Sequence, residues 1–208
     1  CMRASQVVAA ALIIGLGLSS CGIRVNQSIN VADGHSIDGD RTTVNGSIRI
    51  GSDCDVDGDC QTVNGRITVG DGSRVGSLAT VNGRIVLGQN VQVDGGLATV
   101  NGGISVGPAA RISGAVRTVN GTIELTGARV DGDVTLTNGD VVMTDGSVIA
   151  DDIILKGGKG SAPPAIRITG GSVVEGDILA RGRKGVVVYL SDGGEVGGEI
   201  RGAEVVRE

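Results

Sequence analysis

The chain of 208 residues is almost without aromatic side chains, since it has one tyrosine and no phenylalanine or tryptophan. A globular domain of this length usually fills its core with large aromatic and branched side chains. Their absence excludes a wide core of that kind. The core has to be narrow and filled by Val, Ile and Leu.

Other absences narrow the class of protein further. Proline occurs three times and the 38 glycines follow no three-residue period, which excludes collagen. Acidic and basic residues are interspersed, and the formal net charge is −5. The clustered Lys/Arg and aromatic platforms that bind nucleic acid are therefore missing. The regularly placed β-branched residues argue against disorder.

Histidine is also scarce, because His35 is the only one in the chain. It stands in a turn-like segment, 32–37, with no second candidate ligand beside it. No Ser-His-Asp or Cys-His arrangement can be built around it. The sequence therefore predicts no catalytic residue, no cofactor and no enzymatic activity.

The chain does contain a short internal repeat. Five copies of Thr-Val-Asn-Gly begin at positions 43, 62, 80, 99 and 118. Seven asparagines recur at steps of 18 or 19 residues: Asn26, Asn45, Asn64, Asn82, Asn101, Asn120 and Asn138. A fixed period this short predicts a chain that coils on itself, with one turn of the coil for each repeat. We expect the asparagines to form a structural ladder at one corner of the coil.

Within one repeat the apolar residues are separated mostly by even steps, as at Val100, Ile104, Val106 and Ile112. Even spacing puts side chains on one face of a strand. Glycine-containing corners divide each repeat into about three short strands. The sequence predicts an all-β fold, a triangular single-stranded parallel β-helix (β-solenoid) with turns of about 18–19 residues. It is expected to span 26–206, with a loop insertion near 156–165.

The beginning of the chain indicates a targeting segment. Arg3 precedes an apolar stretch of twelve residues at 7–18, which suits a signal peptide and is too short to span a bilayer. The sequence Leu18-Ser-Ser-Cys21 then resembles the lipobox of bacterial lipoproteins. The resemblance implies a signal peptide at 1–20, acylation of Cys21, a tether at 21–25 and attachment to the outer membrane of a bacterial cell envelope. An ordinary secretory signal with an incidental cysteine is the alternative.

Apart from Cys1, which precedes the plausible start at Met2, and Cys21, two cysteines remain for structural roles. Cys54 and Cys60 are the pair that could form a disulfide in an oxidising compartment. Cys60 also stands at the repeat position occupied by Leu97 and Val116, which favours a buried, unpaired thiol. Both interpretations stay open at the level of the sequence.

An acidic segment suggests a weak cation site. Four carboxylates reproduce the start of a calcium-binding loop: Asp53, Asp55, Asp57 and Asp59. Asn64 stands where such a loop needs a bidentate glutamate. We therefore expect weak calcium binding at most, and no metal centre.

Parts of the repeat resemble known families. The stretches 128–134 and 166–178, each containing Gly-Asp followed by an aliphatic residue, resemble bactofilins, the polymer-forming cytoskeletal proteins of bacteria. This resemblance covers most of 26–206 and implies a right-handed β-helix that assembles end to end. The chain is also similar to repetitive β-solenoid domains described as bacterial adhesins. The stretch 106–112 is similar to the hexapeptide repeats of left-handed acyltransferases, but most steps here are 19 rather than multiples of six.

The leading functional hypothesis is a non-catalytic, lipid-anchored protein with a structural or scaffolding role in the cell envelope, able to associate with further copies through the solenoid ends. The alternative is a surface adhesin or glycan-binding module, which Tyr189 as the sole aromatic residue weakens. Weaker hypotheses are a polysaccharide-acting β-helix enzyme and an ice-binding protein. The last requires the valine of Thr-Val-Asn-Gly to point inward, so that Thr and Asn form two outward files.

Overall fold

The structure is a computed structural model that describes residues 24–157, 163–182 and 184–208. The predicted signal peptide and Cys21 lie outside the described residues. Within the described residues the regular elements are short β-strands of two to five residues. In chain order they are β1 (Ile29–Val31), β2 (Ser36–Asp38), β3 (Arg41–Thr43), β4 (Ile48–Ile50), β5 (Asp55–Asp57), β6 (Cys60–Thr62), β7 (Ile67–Val69), β8 (Arg74–Val75), β9 (Leu78–Thr80), β10 (Ile85–Leu87), β11 (Gln92–Val93), β12 (Leu97–Asn101), β13 (Ile104–Val106), β14 (Arg111–Ile112), β15 (Val116–Asn120), β16 (Ile123–Thr126), β17 (Arg129–Val130), β18 (Val134–Asn138), β19 (Val141–Thr144), β20 (Val148–Ile149), β21 (Ile153–Lys156), β22 (Ala165–Ile168), β23 (Val173–Val174), β24 (Ile178–Arg181), β25 (Val187–Leu190), β26 (Glu195–Val196), β27 (Ile200–Arg201) and β28 (Glu204–Arg207).

These strands stack into three parallel sheets, which we call the first, second and third face. The first face runs from β1 through every third strand to β28, the second from β2 to β26, and the third from β3 to β27. Each strand therefore pairs with its equivalent one turn earlier and one turn later. The chain is a parallel β-solenoid of about nine turns, as the repeat predicts. Its right-handedness stays a prediction.

The core is a column of aliphatic side chains that stack on their own equivalents. On the third face, Leu97 pairs in register with Leu78 on one side and Val116 on the other, and all three are at most 1% exposed. The first face adds pairs such as Ile85 and Leu87, because alternate residues of a strand point the same way. Equivalent residues lie about 4.8 Å apart along the axis, so their aliphatic side chains pack directly on one another.

The third face corrects the expected orientation of the Thr-Val-Asn-Gly motif. Its threonines are buried, at most 3% exposed: Thr43, Thr62, Thr80, Thr99 and Thr118. The reason is that Thr99 stands two residues after the inward Leu97, so strand alternation also turns it inward. The valines occupy the outer side, where Val63 and Val81 are buried without joining the core cluster. The two outward files of Thr and Asn that ice binding requires are therefore absent from the described turns.

The later turns keep the same register although the repeat loosens. Strand β21 ends at Lys156 and β22 begins at Ala165, and the intervening 158–162 lie outside the described residues. On either side Lys156 pairs with Arg181 and Ala165 pairs with Val187. The coil therefore continues across this segment to β28. In the part of the chain that the structure describes, no helix has the length and apolar character needed to cross a membrane.

Candidate functional site

The seven repeated asparagines form one continuous ladder along a corner of the solenoid. Each side-chain amide Nδ2 donates a hydrogen bond to the Oδ1 of the asparagine one turn earlier. The donor–acceptor distances lie between 2.7 and 2.9 Å along the whole series, from Asn45–Asn26 to Asn138–Asn120. The ladder points outward, since most of its members are exposed. It joins side chain to side chain, so it links turns directly rather than capping backbone groups.

The other residues of the motif also connect neighbouring turns. Each buried threonine donates its Oγ1 hydrogen to a carbonyl oxygen of the previous turn, as Thr99 does to Gly83 at 3.0 Å and Thr62 to Gly46 at 2.8 Å. The glycine is needed because backbones touch here: a Cβ built on Gly102 would lie 1.9 Å from the carbonyl oxygen of Gly83. The motif is therefore a structural corner, and its functional groups are already engaged.

The four carboxylates of the acidic segment at 53–59 are spread along one strand and its two corners. Asp55 and Asp57 point outward from β5, whereas Asp53 and Asp59 lie at the corners before and after that strand. The Oδ1 of Asp59 accepts the backbone N–H of Ser77 at 2.7 Å. Among the described residues, no three of these carboxylates bring oxygens within 4.8 Å of one another. The extended strand separates groups that a calcium loop would fold around one ion.

The structure brings a different acidic trio together. Oxygens of Asp133, Asp151 and Asp152 lie within 4.8 Å of one another. Two of the carboxylates accept backbone N–H groups of the next turn, Asp133 from Asp152 at 3.3 Å and Asp152 from Asp177 at 2.8 Å. These hydrogen bonds give both residues a structural role. The sequence did not indicate the trio because its members come from two successive turns.

Cys54 and Cys60 are buried free thiols, so no disulfide joins them in this structure. Cys60 pairs in register with Arg41 and Leu78, and thus fills the core file of the third face. Burial raises the pKa of the Cys60 thiol to about 12, which makes it a poor nucleophile at neutral pH. The thiol of Cys54 donates to the carbonyl oxygen of Ala32 at 3.1 Å.

His35, the sole histidine, lies exposed at a corner. Its Nδ1–H donates to the carbonyl oxygen of Asp33 at 2.9 Å. This contact is local and brings no nucleophile or carboxylate side chain to the imidazole. His35 is therefore an exposed turn residue whose side chain bonds to its own turn.

The outer side of the second face carries a series of ion pairs. Arg74 contacts Asp94 at 2.7 Å, Arg111 contacts Asp131 at 2.7 Å, and Arg129 contacts the same Asp131 at 2.8 Å. The hydrogen bond to Asp94 raises the pKa of Arg74, whereas hydrogen bonds from Gln92 and Arg74 lower the pKa of Asp94. Because these groups are largely exposed, each pair contributes little to stability. Arg74, Arg111 and Arg129 of this face are nevertheless each paired with a carboxylate.

The fold and these contacts define a parallel β-solenoid whose recurring polar residues join one turn to the next. Comparison with known proteins gives no match to a protein-family model, a curated protein or a solved structure.

Proposed function

We propose that this protein is a lipid-anchored, non-catalytic element of the bacterial cell envelope that acts as a rigid spacer or scaffold. The observation that carries the proposal is that the repeated polar side chains are engaged in bonds between turns. Among the described residues, no buried side-chain nitrogen or oxygen lacks a hydrogen-bond partner. About nine turns at about 4.8 Å each give a rod of about 40–45 Å. Such a rod holds a fixed distance between its two ends.

The anchor is proposed from the lipobox-like sequence that ends at Cys21. Several acyl chains on one residue would hold the rod stably at a membrane surface, whereas one chain does so only marginally. The test is metabolic labelling with palmitate of the full chain and of a Cys21→Ser variant in a bacterial host, followed by membrane fractionation. We expect label and membrane association in the wild type only. An unlabelled wild type would refute the anchor.

We further propose that the solenoid ends associate, the property that the likeness to bactofilins suggests. In the described chain β1 and β2 at one end, and β26, β27 and β28 at the other, each pair with one neighbouring strand, whereas β3 is also bridged on its outer side by Arg24. Free strand edges can pair with another copy. Charged residues stand in the inward files at both ends, however: Arg41 in register with Cys60, and Arg207 with Leu190. Arg41 also donates to three carbonyl oxygens of residues 38–40, each at 3.1 Å.

Inward charges at sheet edges oppose stacking, so the end-to-end contact is proposed to be weak. The test is light scattering and electron microscopy of the full chain in neutral detergent, with Arg41→Leu/Arg207→Leu as the sharpening variant. Removing both charges is expected to lengthen the assemblies. A concentration-independent monomer for both proteins would refute the association and leave the anchor untouched.

A further inference from the structure

Three arginines lie on three successive turns along the outer side of the first face. Arg66 directly precedes β7 and Arg84 directly precedes β10, two strands that pair in register on adjacent turns. Arg49 lies on β4, one turn earlier, where it pairs with Thr68. All three side chains are exposed. Successive turns rise by about 4.8 Å, so three cationic groups follow one another along the axis of the rod.

In this part of the first face the outward strand positions and the residues that precede the strands hold no carboxylate, and the next turn ends the series with Glu124, which accepts a hydrogen bond from the hydroxyl of Ser105 at 2.7 Å. From β1 to β13 its outward strand positions hold Asn30, Arg49, Thr68, Val86 and Ser105. The residues that precede the same strands are Ser28, Ser47, Arg66, Arg84 and Gly103. We call this surface, from Ser28 to Ser105 on the first face, the basic strip. It carries three positive charges in a protein whose formal net charge is −5.

The arginines of the basic strip differ from those of the second face. Over the residues that the structure describes, ion pairs are made by Arg74, Arg111, Arg129 and Arg201, and none by an arginine of the strip. The second face thus pairs its arginines with its own carboxylates, whereas the three arginines of the basic strip make no such pair. Exposed guanidinium groups without an acidic neighbour are suited to bind carboxylates through paired hydrogen bonds.

The basic strip also has a suitable shape. A shallow groove of about 480 Å³ is lined by Ser28, Asn30, Ser47, Ile48, Arg49, Arg66 and Thr68. Hydroxyl and amide groups in this set can exchange hydrogen bonds with sugar hydroxyls. Farther along, the guanidinium of Arg84 extends over Gly103, where a Cβ would lie 3.5 Å from its Nε. The absence of a side chain at Gly103 gives this arginine room to lie along the axis.

We propose that the basic strip binds a linear acidic polysaccharide through its carboxylate groups, with the polymer running along the axis of the rod. A linear polymer fits because the cations repeat in that direction, and the acidic remainder of the protein would repel the polymer from the other faces. A membrane surface fits less well. The large apolar residues exposed in the described chain are Val25 and Val205, and neither lies in the groove. Single-stranded nucleic acid is disfavoured by the lack of aromatic platforms.

This proposal gives the envelope protein a partner and does not depend on the lipid anchor, because the strip lies wholly within the solenoid. The test is affinity electrophoresis of the full chain in neutral detergent, with polygalacturonate as the acidic polymer and dextran as the neutral one. We expect retardation by polygalacturonate alone, weakening as salt is raised. The variant Arg49→Gln/Arg66→Gln/Arg84→Gln should bind at least about tenfold more weakly, because the factors by which three modest charge contacts strengthen binding multiply.

The matched control is Arg74→Gln/Arg111→Gln/Arg129→Gln, which removes the same charge from the ion-paired second face. Its affinity should stay within about twofold of the wild type, because those cations are already paired. A second variant, with Arg49, Arg66 and Arg84 replaced by lysine, retains the charge and should lose less than the glutamine variant. Circular dichroism of each variant shows whether the solenoid is intact.

Three results would overturn the proposal. One is no retardation of the wild type by polygalacturonate. Another is an equal loss in the two glutamine variants, which would show that only total charge matters. The last comes from binding to lipid vesicles, with phosphatidylcholine vesicles as the neutral reference. If the strip variant loses more binding to phosphatidylglycerol vesicles than to polygalacturonate, the partner is a membrane. Labelling of Cys21 would be unaffected by any of these results, so failure here is distinct from failure of the anchor.

Discussion

The turns up to Asn138 and the turns after it build the same column from different outer residues. In the earlier turns the third face has buried threonines inside and the asparagine ladder outside. From the turn that ends the asparagine ladder onward, the inner position of Thr118 is taken by Leu136, Leu155 and Ala180, which stack in register. The other inward file continues unchanged in character through Ile153. The aliphatic column is thus common to both regions, whereas the asparagine ladder belongs to the earlier turns.

The later turns also tolerate longer connections. Successive acids at the corner between the second and third faces stand 19, 25 and 22 residues apart, at Asp133, Asp152, Asp177 and Glu199. Each of the first three accepts the backbone N–H of the next residue in this series. The same bond occurs in the early turns at Asp40 and Asp59, so this carboxylate ladder links turns of equal and of unequal length. Inward register therefore defines this fold, while different polar groups can join the turns.

The largest effect is expected where the backbones of the regular turns touch. Gly102→Ala places a methyl group 1.9 Å from the carbonyl oxygen of Gly83, so the coil has to open locally. We expect a loss of more than about 4 kcal/mol in the free energy of unfolding, measured by urea denaturation. Gly103→Ala is the matched control, since its nearest atom is the carbonyl oxygen of Thr122 at 3.1 Å. Similar losses in the two variants would contradict the close-contact explanation.

The next largest effect is expected from shortening a core side chain in each region, which tests whether both regions share one aliphatic column. Leu97→Ala in the regular turns and Ile178→Ala in the later turns each remove a side chain that is at most 1% exposed, from the same file of the third face. Each should lower the free energy of unfolding by about 3 kcal/mol, through lost burial and a residual cavity. A loss at Ile178 below about 1 kcal/mol would show that the later turns are not part of the same cooperative column.

A smaller effect is expected from the polar ladder. Asn101→Ala removes the amide bonds to Asn82 at 2.9 Å and from Asn120 at 2.8 Å, which should lower the free energy of unfolding by about 1–2 kcal/mol. Gln89→Ala, at an exposed position outside the ladder, should change it by less than about 0.5 kcal/mol.

Asn101→Asp sharpens the same test. In this variant a carboxylate oxygen replaces the amide that donates to the Oδ1 of Asn82, and the two oxygens repel each other. The loss in the free energy of unfolding should therefore exceed that of Asn101→Ala near pH 7. It should shrink below about pH 4, where the protonated carboxyl can donate again. A pH-independent difference between the two variants would rule out amide-to-amide bonding as the source of the stability.

The smallest effect at neutral pH concerns Cys60. Burial raises its pKa to about 12, so the folded chain keeps the proton that the unfolded chain releases above about pH 9. Raising the pH through this window therefore favours unfolding, by up to about 1.4 kcal/mol per pH unit. Cys60→Val, which copies Val116 of the same file, should lack this part of the pH dependence. Parallel pH profiles for the wild type and the variant would contradict it.

Much of the architecture could be predicted from spacing alone. The even steps among Ile104, Val106 and Ile112 predicted short strands, and the recurring Asn-Gly predicted one turn for each repeat. The inward direction of Thr99 was missed, because the even step from Val100 to Ile104 was counted across the glycine corner that separates β12 from β13. Within β12 alone, Thr99 stands two residues after the buried Leu97 and therefore points inward. The trio of Asp133, Asp151 and Asp152 was also missed, since it forms across turns.

By itself the sequence determined that this chain coils with a period of 18 or 19 residues, because side-chain alternation and glycine corners are local properties that recur with the repeat. Only the tertiary structure decided which polar residues face each other. The pairing of polar residues depends on how each turn stacks on the next. The paired residues are too far apart in the sequence for a local pattern to specify the pairing. For the same reason it alone showed that the second face pairs its arginines with carboxylates while the basic strip does not.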